Sequence, residues 1–289
     1  SQKTHMRDSV LTSLAADTNV MYQETELTVL YVNGVYWGEY NLRERISVES
    51  IAQFEGWSDP DDVVLLEGSG GGLRAIQGST SAYAKLIAQV KKQDFTDDAT
   101  VEALRAYVDI ENYLDYVALQ IYTSNQDLNN VRCYCNPRED GRWKWILFDL
   151  DLSFEVDANS ISRWLQSGGV GSVTSQDNTL FIALMKNANV RKYFLKRMGE
   201  LLATTLSGDH VAELFTERGL AMYNEMEYTT ARWGWTMSTW KKKVAKVIEF
   251  AKARPGKLIG YFKTTMKLSD AEMEEYFGDA MRAIQNAKG

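Results

Sequence analysis

The strand-like segments of this sequence all lie before Phe154, and almost everything after that residue has the three-four spacing of apolar residues typical of helices. Two hairpins are predicted before it, one around Asn33-Gly34 within residues 25–46 and another over residues 131–154. An open parallel sheet needs strands that alternate with helices along the chain. The sequence therefore predicts an α+β fold instead.

Several segments outside these hairpins also carry predictions. The glycine-rich run 68–72 is expected to be a flexible surface loop, because the Lys-Ser/Thr of a phosphate-binding loop does not follow it. Residues 155–178 are rich in Ser and Gly and are predicted to be a loop. Pro255 is predicted to end a helix, since proline lacks the backbone N–H. The aromatic set Trp233, Trp235 and Trp240 is expected in the core rather than in a sugar-binding platform.

The stretch ILFDLDLSF (146–154) places two carboxylates, Asp149 and Asp151, directly after an apolar run. Such a stretch occurs in haloacid-dehalogenase-type phosphatases, in nucleotide-sugar transferases and in kinase-like enzymes. The first class needs later strands and the second a preceding nucleotide-binding α/β domain, so both are disfavoured. The kinase-like alternative fits because Asp127 and Asn130 precede the hairpin, and Mg²⁺ prefers such oxygen ligands.

In combination, four motifs resemble the CotH (spore coat protein H) kinase family over about residues 4–275. They are Met6-Arg7-Asp8, VLYVNGVYWGEYNLRERI (29–46), SNQDLNN (124–130) and ILFDLDLSF (146–154). The resemblance implies an atypical protein-kinase-like fold, in which a small N-terminal β-hairpin lobe packs on a larger, mostly helical C-terminal lobe. It also implies ATP with Mg²⁺ or Mn²⁺ as cofactors.

The resemblance assigns roles to five residues. Asp127 would be the catalytic carboxylate near the accepting hydroxyl. Asn130, with Asn129 as the alternative, and Asp149 would hold the metal and thereby the nucleotide, with Asp151 as a second ligand or outer-shell group. Glu44 would belong to the cofactor site, with the adenine, a ribose hydroxyl or a structural arginine as its partner. Arg43 and Arg45 flank Glu44, and either could pair with an acid or face nucleotide phosphates.

We predict one CotH-like kinase domain over residues 1–289, with 1–56 as a partial N-terminal lobe and 57–289 as the C-terminal lobe. In the family, the strand with the phosphate-binding lysine precedes the Met6-Arg7-Asp8 helix, so we expect the N-terminal lobe to be truncated. The chain as given is then expected to be weakly active or inactive unless another lysine substitutes.

The expected function is Mg²⁺- and ATP-dependent phosphorylation of Ser or Thr in a protein substrate, such as a coat or surface protein. The alternative is a non-catalytic binding or structural module of a bacterial surface, a spore coat or a secreted enzyme complex. The resemblance suggests those same locations. A net charge of −7 argues against a nucleic-acid partner, and no apolar stretch is long enough for a membrane span. The sequence leaves the oligomeric state open.

Overall fold

A computed structural model describes residues 3–171, 173 and 176–287 of the chain. Helix accounts for 54% of it and strand for 15%, in two small sheets, so the fold is α+β as predicted. The helices are α1 (Arg7–Ser13), α2 (Val48–Glu55), α3 (Ser81–Val90), α4 (Asp98–Leu104), α5 (Ile110–Thr123), α6 (Ser160–Leu165), α7 (Thr179–Leu184), α8 (Ala188–Ala203), α9 (Gly208–Arg232), α10 (Met237–Met266) and α11 (Asp270–Asn286). The strands are β1 (Met21–Tyr22), β2 (Thr25–Val32), β3 (Val35–Arg43), β4 (Val64–Ser69), β5 (Gly72–Gln77), β6 (Arg132–Cys135) and β7 (Lys144–Leu147).

The first predicted hairpin is confirmed as the two-stranded sheet β2–β3. Its turn residues Asn33 and Gly34 have φ of 51° and 80°, the left-handed conformation that a two-residue hairpin requires. The hairpin packs on α9 at Gly38, whose φ is +139° and where a Cβ would lie 3.2 Å from Trp233 Nε1. The next residue, Glu39, donates its backbone N–H to Thr229 Oγ1 of α9 at 2.8 Å. A glycine is thus needed where the hairpin meets the helix.

The second predicted hairpin, β6–β7, is also confirmed and belongs to a five-stranded sheet. The strand order is β1-β7-β6-β4-β5, and only β1 runs parallel to its neighbour. The glycine-rich run proved to be a hairpin turn rather than a loop, because β5 begins at Gly72 and pairs back onto β4. The prediction missed β5 because most of its side chains are partly or fully exposed and it lacks a strong apolar alternation.

Helix α5 lies at the centre of the helical part, and nearly all of its side chains are buried. Asp109 caps its first turn by accepting the backbone N–H of Asn112 at 3.0 Å. At its other end, the buried guanidinium of Arg254 donates to the carbonyl oxygens of Ile121 and Tyr122 at 2.7 and 2.8 Å. This contact fixes α10 against the helix that leads into the loop 124–130.

Two helix predictions were wrong. Pro255 lies inside α10, which continues to Met266, because packing of residues such as Leu258 and Phe262 in the core outweighs the local cost of the proline. The predicted loop 155–178 contains the short helix α6, which buries Ile161 and Trp164. Residues 172, 174 and 175 of that predicted loop lie outside the described residues.

The aromatic prediction holds only in part. Trp240 is buried and Trp235 packs against the core, whereas Trp233 is 47% exposed beside the hairpin. Cys133 and Cys135 are buried free thiols. No helix in the described part of the chain is both long and apolar enough to cross a membrane. The boundary at residue 56 between the two predicted lobes stays a prediction. Strand β1, which precedes that boundary, pairs with β7, which follows it.

A close helix contact generates the first testable prediction. A Cβ on Gly199 of α8 would overlap the carbonyl oxygen of Tyr276 in α11. We expect Gly199→Ala to lower the free energy of unfolding by about 1–3 kcal/mol or more, because the two backbones must separate. The matched control is Gly260→Ala in α10, where nothing lies within 4 Å of the added Cβ. That variant should gain about 0.5–1 kcal/mol. Urea denaturation measures both, and equal effects would contradict the close packing.

Candidate active site

Asn130 and Asp149 come together where β7 ends. One residue separates Asp149 from the end of β7. Its φ is 53°, which is uncommon for a residue other than glycine. Asn130 Nδ2 donates to Asp149 Oδ2 at 2.9 Å. The amide oxygen of Asn130 is therefore not the atom used in this bond. The structure thus joins two of the residues that the sequence singled out.

The loop that carries Asp127 is held by its own side chains. Helix α5 ends at Thr123, and the next residue, Ser124, caps it with a left-handed φ of 51°. Asn125 then accepts the backbone N–H of Asp127 at 3.0 Å and donates to its carbonyl oxygen at 3.2 Å. The backbone N–H of Gln126 reaches the carbonyl oxygen of Leu152 at 3.4 Å. The half-buried Asp127 is therefore fixed beside the segment that follows β7.

Helix α1 supplies a carboxylate that the sequence analysis did not assign to the site. Asp8 is only 2% exposed, accepts the backbone N–H of Leu150 and forms an ion pair with Arg43 of β3. Its neighbour Arg7 donates to the carbonyl oxygen of Asp151 at 2.9 Å. The available signal was a pair of opposite charges within an otherwise apolar helix face. In the sequence, Arg7 and Asp8 stand out only as part of the Met6-Arg7-Asp8 motif.

Burial and neighbouring carboxylates raise the pKa of two acids in this region, Asp149 and Asp8. Burial is the largest cause that raises the pKa of Asp149, and the charges of Asp151, Asp8 and Asp127 add to it, while Arg43 lowers it. Burial also raises the pKa of Asp8, against the opposing effects of Arg43 and the Leu150 N–H. We refer to Asp8, Asp127, Asp149 and Asp151 as the acidic cluster. Asp8, Asp127 and Asp151 all lie within electrostatic range of Asp149, and Arg43 offsets part of their effect on it.

The donor chemistry of the acidic cluster fits a hard divalent cation. Within residues 3–171, 173 and 176–287, no three His, Cys, Asp or Glu side chains form a ready-made metal cage. Mg²⁺ and Mn²⁺ do not need one, since Mg²⁺ in particular keeps several waters and binds through one or two carboxylates plus substrate phosphates. Asp149 and the amide of Asn130 offer oxygen ligands of this kind, and the neighbouring carboxylates that raise the pKa of Asp149 favour a cation beside it.

Glu44 lies apart from Asn130 and Asp149. It lines a cavity of about 850 Å³ between α1, the β2–β3 hairpin and α9. We call it the hairpin cavity. Its size is in the range of small-molecule sites. Glu44 is exposed and lines the cavity together with Arg43 and Arg218. Arg43 thus belongs to both regions, because it lines the cavity and its guanidinium is paired with Asp8 of the acidic cluster.

Comparison with known proteins adds an independent finding. The family model described as CotH kinase protein matches residues 1–258 of the 289-residue chain. No curated protein matches the chain significantly. The match confirms the resemblance derived from the four motifs and contains every residue of the acidic cluster. It does not by itself test the role of any one of them.

The raised pKa of Asp149 generates the second prediction. A carboxylate whose pKa is higher in the folded state favours folding when protonated, and this contribution is lost as pH rises through the raised pKa. In metal-free buffer at pH 7, Asp149→Asn should therefore raise the free energy of unfolding. The stability difference between this variant and the wild type should shrink as the pH falls from the raised pKa of Asp149 towards the pKa of an ordinary carboxyl group.

Denaturant titrations between about pH 3 and 7 measure this difference, a range that spans ordinary and raised carboxyl pKa values. The control is Asp61→Asn at an exposed position, which should change stability little at either end of the range. A variant at Asp149 that is less stable than the wild type at neutral pH would contradict the electrostatic description.

Proposed function

The chain belongs to the CotH kinase family, which indicates a kinase-like activity, and from this premise we propose that it transfers the γ-phosphoryl group of ATP to a Ser or Thr hydroxyl of a protein. The observation that carries the proposal is the junction of Asn130 and Asp149, with Asp127 in electrostatic range of the same carboxylate. Phosphoryl transfer requires little more from a protein than an oriented hydroxyl and a held metal–phosphate complex.

In this proposal Asp149 and Asn130 hold Mg²⁺ or Mn²⁺, and Asp151 is a second ligand or orients a water in the outer shell. When bound, the cation supplies charge neutralisation for the phosphate oxygens. The chain's own contribution is to fix the two ligands: the Asn130 amide restrains Asp149 at 2.9 Å, and Asp8 restrains the following backbone N–H. The raised pKa of Asp149 favours this assignment, because a nearby cation would lower it again.

Asp127 is the proposed catalytic carboxylate. It orients the accepting hydroxyl and receives its proton while the new oxygen–phosphorus bond forms and the bond to the β-phosphate oxygen breaks, releasing ADP. Its support is positional, since Asn125 holds its backbone on both sides and leaves the carboxylate half-exposed. A general base must reach the hydroxyl, and an accessible loop carboxylate meets that requirement.

The nucleoside part of ATP is proposed to occupy the hairpin cavity, with Glu44 as the residue that meets the base or ribose. The β2–β3 hairpin would then form the small lobe and the predominantly helical remainder the large lobe of a kinase-like arrangement. Family membership supports a protein substrate and a spore-coat setting, and both are part of the proposal. The boundary at residue 56 belongs to it as well.

Incubation with γ-labelled ATP, Mg²⁺ or Mn²⁺ and a generic protein substrate tests the function, with self-labelling measured in the same reaction. Asp127→Ala should reduce label transfer by about 10²- to 10⁴-fold while ATP still binds, because only the proton acceptor is lost. Asp149→Ala should abolish both transfer and metal-dependent ATP binding. Asp61→Ala is the matched control and should behave as the wild type.

Two outcomes would overturn parts of this proposal. Label transfer that survives both substitutions unchanged would refute the site assignment. Tight ATP binding with no transfer to any substrate would instead favour the non-catalytic module, since the binding residues would then be used without chemistry.

A further inference from the structure

Arg43 links the two regions of the proposed site. It is the last residue of β3, and its guanidinium Nη1 pairs with Asp8 Oδ2. About a third of the side chain is exposed, at 34%, and it lines the hairpin cavity next to Glu44. The partner carboxylate is only 2% exposed, so the ion pair joins a buried acid to a partly exposed arginine of the cavity wall. The cation is therefore held in place and accessible at the same time.

The other arginine near the acidic cluster is used differently. Arg7 is 3% exposed, and its Nη1 donates to the Asp151 carbonyl oxygen and to Glu155 at 2.9 and 2.8 Å. Arg7 therefore holds the backbone that follows Asp149 in place. Arg43, in contrast, also acts on Asp149 itself, because its charge lowers the pKa of that carboxyl. Of these two arginines, Arg43 is the one that an anion in the cavity could reach.

An arginine in this position suits a phosphate. The guanidinium is planar and carries five N–H donors, so one edge can bind a carboxylate while another binds phosphate oxygens. Arginine is also charged at every relevant pH, which makes it a dependable anion ligand. In kinases the equivalent task falls to a strand lysine that is paired with an acid on a helix. Here β3 provides the cation and α1 the acid.

We propose that Arg43 is a phosphate-binding cation of this protein and contacts the α- or β-phosphate of a nucleoside triphosphate whose nucleoside occupies the hairpin cavity. The proposal rests on the proposed function and names a residue for its phosphate subsite. Asp8 is then a positioning residue with two duties. It holds the Arg43 guanidinium and accepts the Leu150 N–H, so it connects the phosphate subsite with the turn that carries Asp149 and Asp151.

Calorimetric titrations with ATP, ADP and adenosine at one fixed Mg²⁺ concentration test this inference. Arg43→Met should weaken ATP and ADP binding by about 10- to 100-fold, as expected for a lost charge-assisted hydrogen bond, and leave adenosine binding within about twofold. The ATP and ADP affinities of Arg43→Lys should lie between those of the wild type and of Arg43→Met, because lysine keeps the positive charge but lacks the paired N–H donors of the guanidinium. The matched control is Arg45→Met, an exposed arginine two residues further along, which should bind all three ligands as the wild type does.

A second variant separates binding from folding. Arg43→Met leaves the buried Asp8 carboxylate without its ion-pair partner, so the double variant Asp8→Asn/Arg43→Met removes the unpaired charge. Thermal unfolding without ligand reports its stability. The inference is supported if the double variant folds, binds ATP and ADP more weakly than the wild type does, and binds adenosine as the wild type does.

The remaining outcomes overturn the inference in distinguishable ways. Wild-type affinity for ATP in both variants would remove Arg43 from the phosphate subsite and leave the proposed function intact. Loss of all three ligands in the single variant, with recovery in the double variant, would make the ion pair purely structural. A wild-type protein that binds none of the three would instead refute the proposed function itself, and with it this inference.

Discussion

The whole candidate site depends on the interactions of one buried carboxylate, that of Asp8. It accepts the Leu150 N–H and pairs with Arg43, so one side chain joins α1, the end of β3 and the turn after β7. The hairpin and the five-stranded sheet share no hydrogen-bonded strand pair. A buried carboxylate is tolerated only with such partners, because its desolvation is costly. Together with the packing of the hairpin on α9, the Asp8–Arg43 ion pair holds the hairpin beside the acidic cluster.

The turn at Asp149 has an unfavourable backbone that several contacts hold in place. A positive φ in a residue with a side chain costs roughly 1 kcal/mol or more, and such strain persists where the surroundings fix the conformation. Three contacts do so here. Asn130 holds the Asp149 side chain, Asp8 holds the following N–H, and Arg7 holds the Asp151 carbonyl oxygen. Backbone strain that is maintained from three sides beside clustered carboxylates is typical of functional sites rather than of ordinary turns.

How much of this could be predicted from the sequence depends on how local each determinant is. The β2–β3 turn follows from two adjacent residues, Asn33-Gly34, and the pairing of Asn130 with Asp149 follows from a loop and one hairpin. The role of Asp8 could not be derived in this way, since its partners lie 35 and 142 residues further along the chain. Pro255 failed for the same reason: local propensity predicts a helix end, whereas distant packing decides the outcome.

The electrostatics of the site indicate why its parts need one another. Four carboxylates converge, and one partly exposed arginine, Arg43, offsets part of their charge at Asp149. Selection for stability alone favours replacing Asp149 or Asp8 with an amide, since the raised pKa of each marks an ionised state that folding disfavours. Keeping them is reasonable where a divalent cation and a polyphosphate arrive together, because the cation compensates the acids and Arg43 compensates the phosphates. In the proposed function, a bound metal–nucleotide pair would balance the charges of the free protein, and the acidic cluster and the hairpin cavity would form one site.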